Sequence, residues 1–163
     1  MNKILNRLFI LTALVMALSS CKDEAEIPGH GKPGNPEKEV AGTYVGTWTK
    51  TQRNSTAEPV TAEGTLTFTA TDEAYITVVK IGCESSAMDF NNTSSFASTE
   101  SRANIVGQSA QYVFYNVLTT NGLGTSFNGT VSFGGEATMT FAKTIRQGRV
   151  TYTYDYTFTG TKQ

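Results

Sequence analysis

The sequence predicts an all-β protein, and three observations carry that expectation. Thr is abundant while charged residues make up only 17% of the chain, and β-branched side chains suit a pleated surface better than a helix. Near the C-terminus Val150, Tyr152, Tyr154, Tyr156 and Phe158 share one parity, while Thr151, Thr153, Asp155, Thr157 and Thr159 share the other. This is the period of a half-buried strand. Glycine pairs and singles stand where strands would have to reverse: Gly134-Gly135 and Gln147-Gly148 both offer the positive φ of a hairpin turn.

Read in order, these signals place strands at 43–50, 61–70, 74–81, 101–107, 110–118, 127–133, 137–145 and 150–159. Asp72 and Glu73 lie in a short link, where they read as solvated turn charges. Connections this tight favour an eight-stranded antiparallel up-and-down barrel over a Greek-key sandwich. Residues 82–100 break the alternation: Asn, Ser and Thr dominate, and Met88, Phe90 and Phe96 keep no period. A long connection is expected there, with its two Phe side chains packing down. The folded domain is expected over 40–163.

What precedes that domain reads as an address. Lys3 and Arg7 form a basic start, and residues 8–18 are a mostly apolar run of eleven, too short for the roughly 20 residues that span a bilayer. The run ends in Leu18-Ser19-Ser20-Cys21, which resembles the lipobox of bacterial lipoproteins. By that resemblance residues 1–20 are a signal peptide and Cys21 is the acylated first residue of the mature protein. Residues 21–39 then form a tether, whose Ile27 to Pro36 portion is too rich in Pro and Gly to support a core. Loss of Lys3 and Arg7 leaves 11 basic against 14 acidic residues, so nothing in the charge favours nucleic acid. The acidic residues of Lys22-Asp23-Glu24-Ala25-Glu26 resemble the signal that exports lipoproteins of Bacteroidota to the cell surface. The expected location is the outer membrane, lipid-anchored, on the surface or the periplasmic face.

The domain itself resembles a family. Gly46-Thr47-Trp48 in the first strand matches the Gly-x-Trp element of lipocalins, and Val40 to Trp48 with Phe158 to Lys162 look like the calycin-like small barrels of Bacteroidota lipoproteins. The resemblance implies an eight-stranded calycin-like barrel with a basic side chain from the end of the last strand set against the Trp; Lys162 is the nearest candidate, and no Arg stands there. Trp48 is expected to plug one end of the barrel.

Chemistry is scarce by comparison. The single His, His30, lies in the tether, so a Ser-His-Asp or Cys-His arrangement is missing from the folded region and no catalytic residue is assigned. Cys83 alone cannot build a zinc site, and no metal or cofactor is expected. After acylation of Cys21 it would have no disulfide partner, and it reads as a small filler at a strand end. The scattered carboxylates form no recognisable glycosidase pair. Lys143, Arg146 and Arg149 bracket one hairpin tip, either as a cationic patch for an acidic group or as charges that keep the turn soluble. The expected function is non-catalytic binding of a small apolar or glycan-like ligand, with Tyr152, Tyr154, Tyr156, Phe90 and Phe96 as candidate contacts. The alternative is an interaction module that docks on an outer-membrane partner protein. Four inward aromatics on the last strand would nearly fill the barrel, and that would favour the second reading over a carrier.

Overall fold

The computed structural model describes residues 34–89, 100–116 and 126–163. Among them a short helix, α1 (Pro36–Glu39), precedes eight strands: β1 (Gly42–Gln52), β2 (Val60–Ala70), β3 (Ile76–Cys83), β4 (Glu100–Gly107), β5 (Gln111–Tyr115), β6 (Phe127–Ser132), β7 (Glu136–Gln147) and β8 (Val150–Lys162). Each strand pairs antiparallel with the next, and β8 pairs back onto β1, so the sheet closes into the expected up-and-down barrel. The fold is all-β. Cys21, the expected signal over 1–20, Phe90, Phe96 and Leu118 lie outside the described residues.

Two departures from expectation have local reasons. β3 begins at Ile76 instead of Ala74, because Tyr75 takes φ 65° and the Thr71 hydroxyl bonds both the Glu73 N–H and the Ile76 carbonyl. Residues 71–75 are thereby a turn. The second departure is α1, which sequence alone left in the tether. Pro36 opens it, where a missing N–H costs nothing, and Glu37 and Glu39 suit its positive N-terminal end. Pro36, Glu37 and Val40 are buried.

Docking of α1 follows from three contacts. The Tyr75 N–H donates to the Glu37 carboxylate at 3.2 Å, Lys162 Nζ donates to the Glu39 carbonyl at 3.0 Å, and the Tyr44 hydroxyl donates to the Val40 carbonyl at 3.0 Å. These contacts lay the helix across the end of the barrel where β1 begins and β8 finishes. That end is closed by α1 and Tyr44, while Trp48 lies further along β1, opposite Phe158. Lys162 pairs with Tyr44 in register and approaches its ring, 6.0 Å from the centroid. It therefore serves α1, and the basic partner that the lipocalin resemblance sets against the Trp is not supplied from here.

The alternation of β8 resolves as expected. Tyr156 and Phe158 are fully buried, Tyr152 and Tyr154 are half-buried, and Thr151, Thr157 and Thr159 face solvent. Asp155 faces outward too, where Arg53 meets it with two hydrogen bonds at 2.6 and 2.7 Å. The interior is filled by two runs of touching rings. One links Tyr44, Phe68, Phe114 and Phe127; the other links Tyr156, Phe141, Trp48 and Phe158, with centroids 4.8–6.3 Å apart.

Room for these rings comes from a row of small residues. Ala137, Gly160, Gly46 and Gly64 are consecutive register partners across β7, β8, β1 and β2. A Cβ on Gly64 would lie 2.5 Å from Cδ1 of Trp48, and one on Gly160 would lie 2.5 Å from Cζ of Phe158. Large and small residues thus interdigitate across the barrel. The outer parity accounts for the Thr content: Thr43 meets Thr67, Thr130 meets Thr138 and Thr144 meets Thr153 through hydroxyl contacts of 3.0–3.3 Å across neighbouring strands.

Overpacking makes Gly64 intolerant of even one carbon. Gly64→Ala is expected to lose roughly 1–3 kcal/mol in urea unfolding, whereas a substitution at the unobstructed Thr159 should change little. A second expectation concerns pH. Burial pushes the Tyr44 hydroxyl up to about 12, above an unfolded value near 10. The folded state therefore holds this proton more tightly, and the stability it contributes is complete below about pH 10 and lost as pH climbs toward 12. Urea midpoints compared at about pH 9 and about pH 11 should fall less steeply in Tyr44→Phe than in the parent chain.

Candidate functional site

The two ends of the barrel are unlike. At the helix end the connections are short, at 71–75, 108–110 and 133–135. At the far end lie the longer ones, 53–59, 84–99 and 116–126, and only the β7–β8 turn is tight. Functional groups gather where connections are long. The inward row changes character accordingly: beyond Trp48 and Phe158 it becomes Lys50, Gln52, Lys143, Ile145, Tyr152, Tyr154 and Tyr156. Register places Lys50 opposite Tyr156, Gln52 and Lys143 opposite Tyr154, and Ile145 opposite Tyr152.

Into this end turns the start of the β3–β4 connection. Ser85 caps a single 3-10 turn, Ser86–Met88, by accepting from the Ala87 N–H. Met88 is buried in the core, and Asp89 ends the turn in the left-handed region at φ 54°. Two lysines hold it there. Lys50 donates to the Ala87 carbonyl at 3.0 Å and to the Asp89 carboxylate, with its ammonium 4.6 Å from the centre of the Tyr154 ring. Lys143 donates to the Asp89 carbonyl at 2.9 Å.

Electrostatics at this end follow from burial. Lys143, 4% exposed, is held below the ordinary lysine value chiefly by desolvation, with Lys50 adding to the depression and Asp89 opposing it. The Tyr156 hydroxyl is pushed well above its ordinary value by burial first, then by Asp89 and Tyr154. On the adjoining wall the buried Asn116 amide donates to the Ser101 hydroxyl at 3.1 Å. This end offers ammonium and amide donors, tyrosine faces and a carboxylate, a set that suits hydroxyl-rich or acidic groups.

Some candidate residues converge and others do not. Tyr152, Tyr154 and Tyr156 line the far end together. Lys143, Arg146 and Arg149 separate: Lys143 points inward, whereas Arg146 and Arg149 are exposed and Arg146 donates to the Gly148 carbonyl at 3.1 Å. They form no common patch. Cys83 is the last residue of β3, packs against the core and donates to the Glu63 carbonyl at 3.1 Å. Glu73 pairs with Arg102 at 2.7 Å with both groups solvated. Among the described residues no three His, Cys, Asp or Glu side chains gather as metal ligands.

Lys50 and Asp89 were missed at the sequence level. Lys50 shares the parity of Trp48, so its inward direction was available from alternation alone; Asp89 sits in an aperiodic stretch and gave no such signal. Comparison with known proteins adds no relative: no family model, curated protein or solved structure matches this chain.

The clamp around Asp89 can be broken selectively. Asp89→Ala removes the carboxylate that pairs with Lys50 while keeping the carbonyl that Lys143 holds, and should destabilise the chain by roughly 1–3 kcal/mol. Hydrogen exchange of residues 84–89 should rise more than that of β1 or β8, because the loss loosens the connection before it loosens the barrel.

Proposed function

We propose that this chain is an exported, lipid-anchored binding protein, held through Cys21, that takes a glycan-like ligand at the far end of its barrel without catalysis. The observation that carries the proposal is the contrast between ends: one is covered by α1, and the other presents Tyr152 and Tyr154, half-buried, beside Lys50 and Lys143. Aromatic faces with adjacent donors are the usual means of seating a sugar ring. Binding needs no base or nucleophile, which agrees with a sequence whose single His precedes the domain. Several acyl chains at Cys21 would hold it firmly, at about 0.8 kcal/mol per buried CH₂. The anchor places it at the outer membrane, on the surface or the periplasmic face.

Packing favours a rim over a cavity. Trp48, Phe141, Tyr156 and Phe158 occupy the interior that a carrier would leave for an apolar ligand. The same filling supports a second reading, in which the far end docks on an outer-membrane partner protein instead of a small molecule.

Four measurements test the proposal. Cys21→Ala should abolish acyl labelling and processing; continued labelling removes the anchor assignment. The full chain in detergent, screened against neutral and acidic glycans, should bind at least one class, and Tyr154→Ala should weaken that binding about tenfold, equivalent to roughly 1.4 kcal/mol. Capture of one outer-membrane protein through the far end, with every glycan silent, would favour the interaction module. Reproducible hydrolysis lost with one acidic residue would overturn the non-catalytic reading.

A further inference from the structure

We infer that the helix end of the barrel is a membrane-docking surface, on which the protein rests against the lipid interface that holds its anchor, with the far end pointing away. The inference rests on the anchored reading above and adds to it a direction and a contact surface.

The tether supplies the direction. The described chain begins at Gly34, immediately before α1, and α1 lies across the helix end through Glu37, Val40 and Glu39. Only the twelve residues 22–33 separate Gly34 from Cys21, and at full extension they reach roughly 45 Å. β8 has 13 residues, about 30 Å of barrel height once strand tilt is included. An inverted molecule would need most of its tether drawn out along the wall. The upright one leaves the tether slack, which costs far less chain entropy.

The contact surface is an arc of exposed apolar side chains at that end. Tyr75 is 54% exposed, Phe133 is 44% exposed and Val106 is 41% exposed. Backbone hydrogen bonds join them into one rim: the Tyr75 carbonyl accepts from the Ile105 N–H, next to Val106, and the Ala110 carbonyl accepts from the Phe133 N–H. The Phe133 ring leans on Tyr112, with centroids 5.0 Å apart. Tyr75 is notable for its backbone, since φ 65° is unfavourable for a bulky residue. Its N–H is held by Glu37 and its carbonyl by Ile105, so both sides of the strained residue are fixed while the ring stands in solvent.

Exposure alone does not select this end, because Val60, Val150 and Tyr115 are exposed at the other, where Tyr152 and Tyr154 also lie. The position of the tether selects it, and the exposed rings of Tyr75 and Phe133 supply the contact. Tyrosine and similar rings favour the headgroup level of a bilayer. The segments at this end carry Lys38, Arg102 and Lys162 together with Glu39, Asp72, Glu73 and Glu136, so docking depends on the rings and on the high local concentration the anchor imposes, with no call for anionic lipid.

Tryptophan replacement tests the orientation. The full acylated chain is reconstituted in phosphatidylcholine vesicles containing a brominated phosphatidylcholine, which quenches indoles at the interface. Tyr75→Trp and Phe133→Trp should each lose most of their added emission, while Val150→Trp at the far end should keep it; buried Trp48 supplies a constant background. Quenching confined to Val150→Trp, equal quenching at both ends, or none at either would overturn the docking surface. Should the replacements disturb folding, hydrogen exchange of the parent chain gives the same answer, with protection by vesicles expected at 71–75 and 133–135 and overturning the surface if it falls on 53–59 instead. The mass of the purified chain reports acylation of Cys21 separately, so failure of the anchor and failure of the orientation are distinguishable.

Discussion

Pairing of β1 with β8 is the constraint on which the rest of this structure depends. The two strands run in register from Tyr44 opposite Lys162 to Gln52 opposite Tyr154, joining segments that are far apart along the chain. Closure removes both sheet edges and so leaves no row of unpaired backbone groups for another chain to join. It also settles the facing of every strand, because the side-chain period is two and a slip by one residue would exchange the aromatic row of β8 for its threonines and Asp155. Loop closure over such a separation is entropically costly before contacts form. The buried Trp48–Phe158 contact, with centroids 5.1 Å apart across this seam, rewards it where the interior is most densely packed with rings.

That dense interior needs its small residues as much as its large ones. Gly46, Gly64 and Gly160 stand beside one another on β1, β2 and β8, and the indole lying over Gly64 reaches the Gly82 carbonyl with its N–H at 3.2 Å. In the Gly-x-Trp element Gly46 lets β1 approach β8 closely, since a Cβ there would lie 2.1 Å from the Thr159 carbonyl oxygen, while Gly64 on β2 clears the space that the Trp48 ring occupies. Among the described residues, Trp48, Phe141, Tyr156 and Phe158 occupy the interior between β1, β7 and β8.

The two ends answer to different demands. Short turns and α1 seal one, and the polar contacts there run to the Glu37 carboxylate and to the Glu39 and Val40 carbonyls. At the other, the buried Lys143 and the largely covered Lys50 hold the 3-10 turn Ser86–Met88 and Asp89 in place. Buried ammonium groups are expensive unless they are hydrogen-bonded and compensated, and here Lys50 and Lys143 draw both conditions from Ala87 and Asp89. Their burial is a reason for the shape of the far end as well as a source of its chemistry.

Most of the architecture was determined by the sequence alone. The number of strands, their order, the closure into an up-and-down barrel and the inward facing of Tyr152, Tyr154, Tyr156 and Phe158 all follow from local period and turn chemistry, which act between neighbours in the chain. The start of β3 escaped because Tyr75 adopts a conformation that its residue type does not announce, and only contacts with Glu37 and Ile105 sustain it. α1 escaped because four residues cannot form a helix alone; burial against the barrel end stabilises them. The separation of Lys143 from Arg146 was legible in principle, since their opposite parities on β7 face opposite ways, whereas Arg149 lies in the turn after β7. Asp89 was not, because it belongs to a stretch without period, and its meeting with Lys50 and Lys143 is produced by three segments brought together only when the barrel closes.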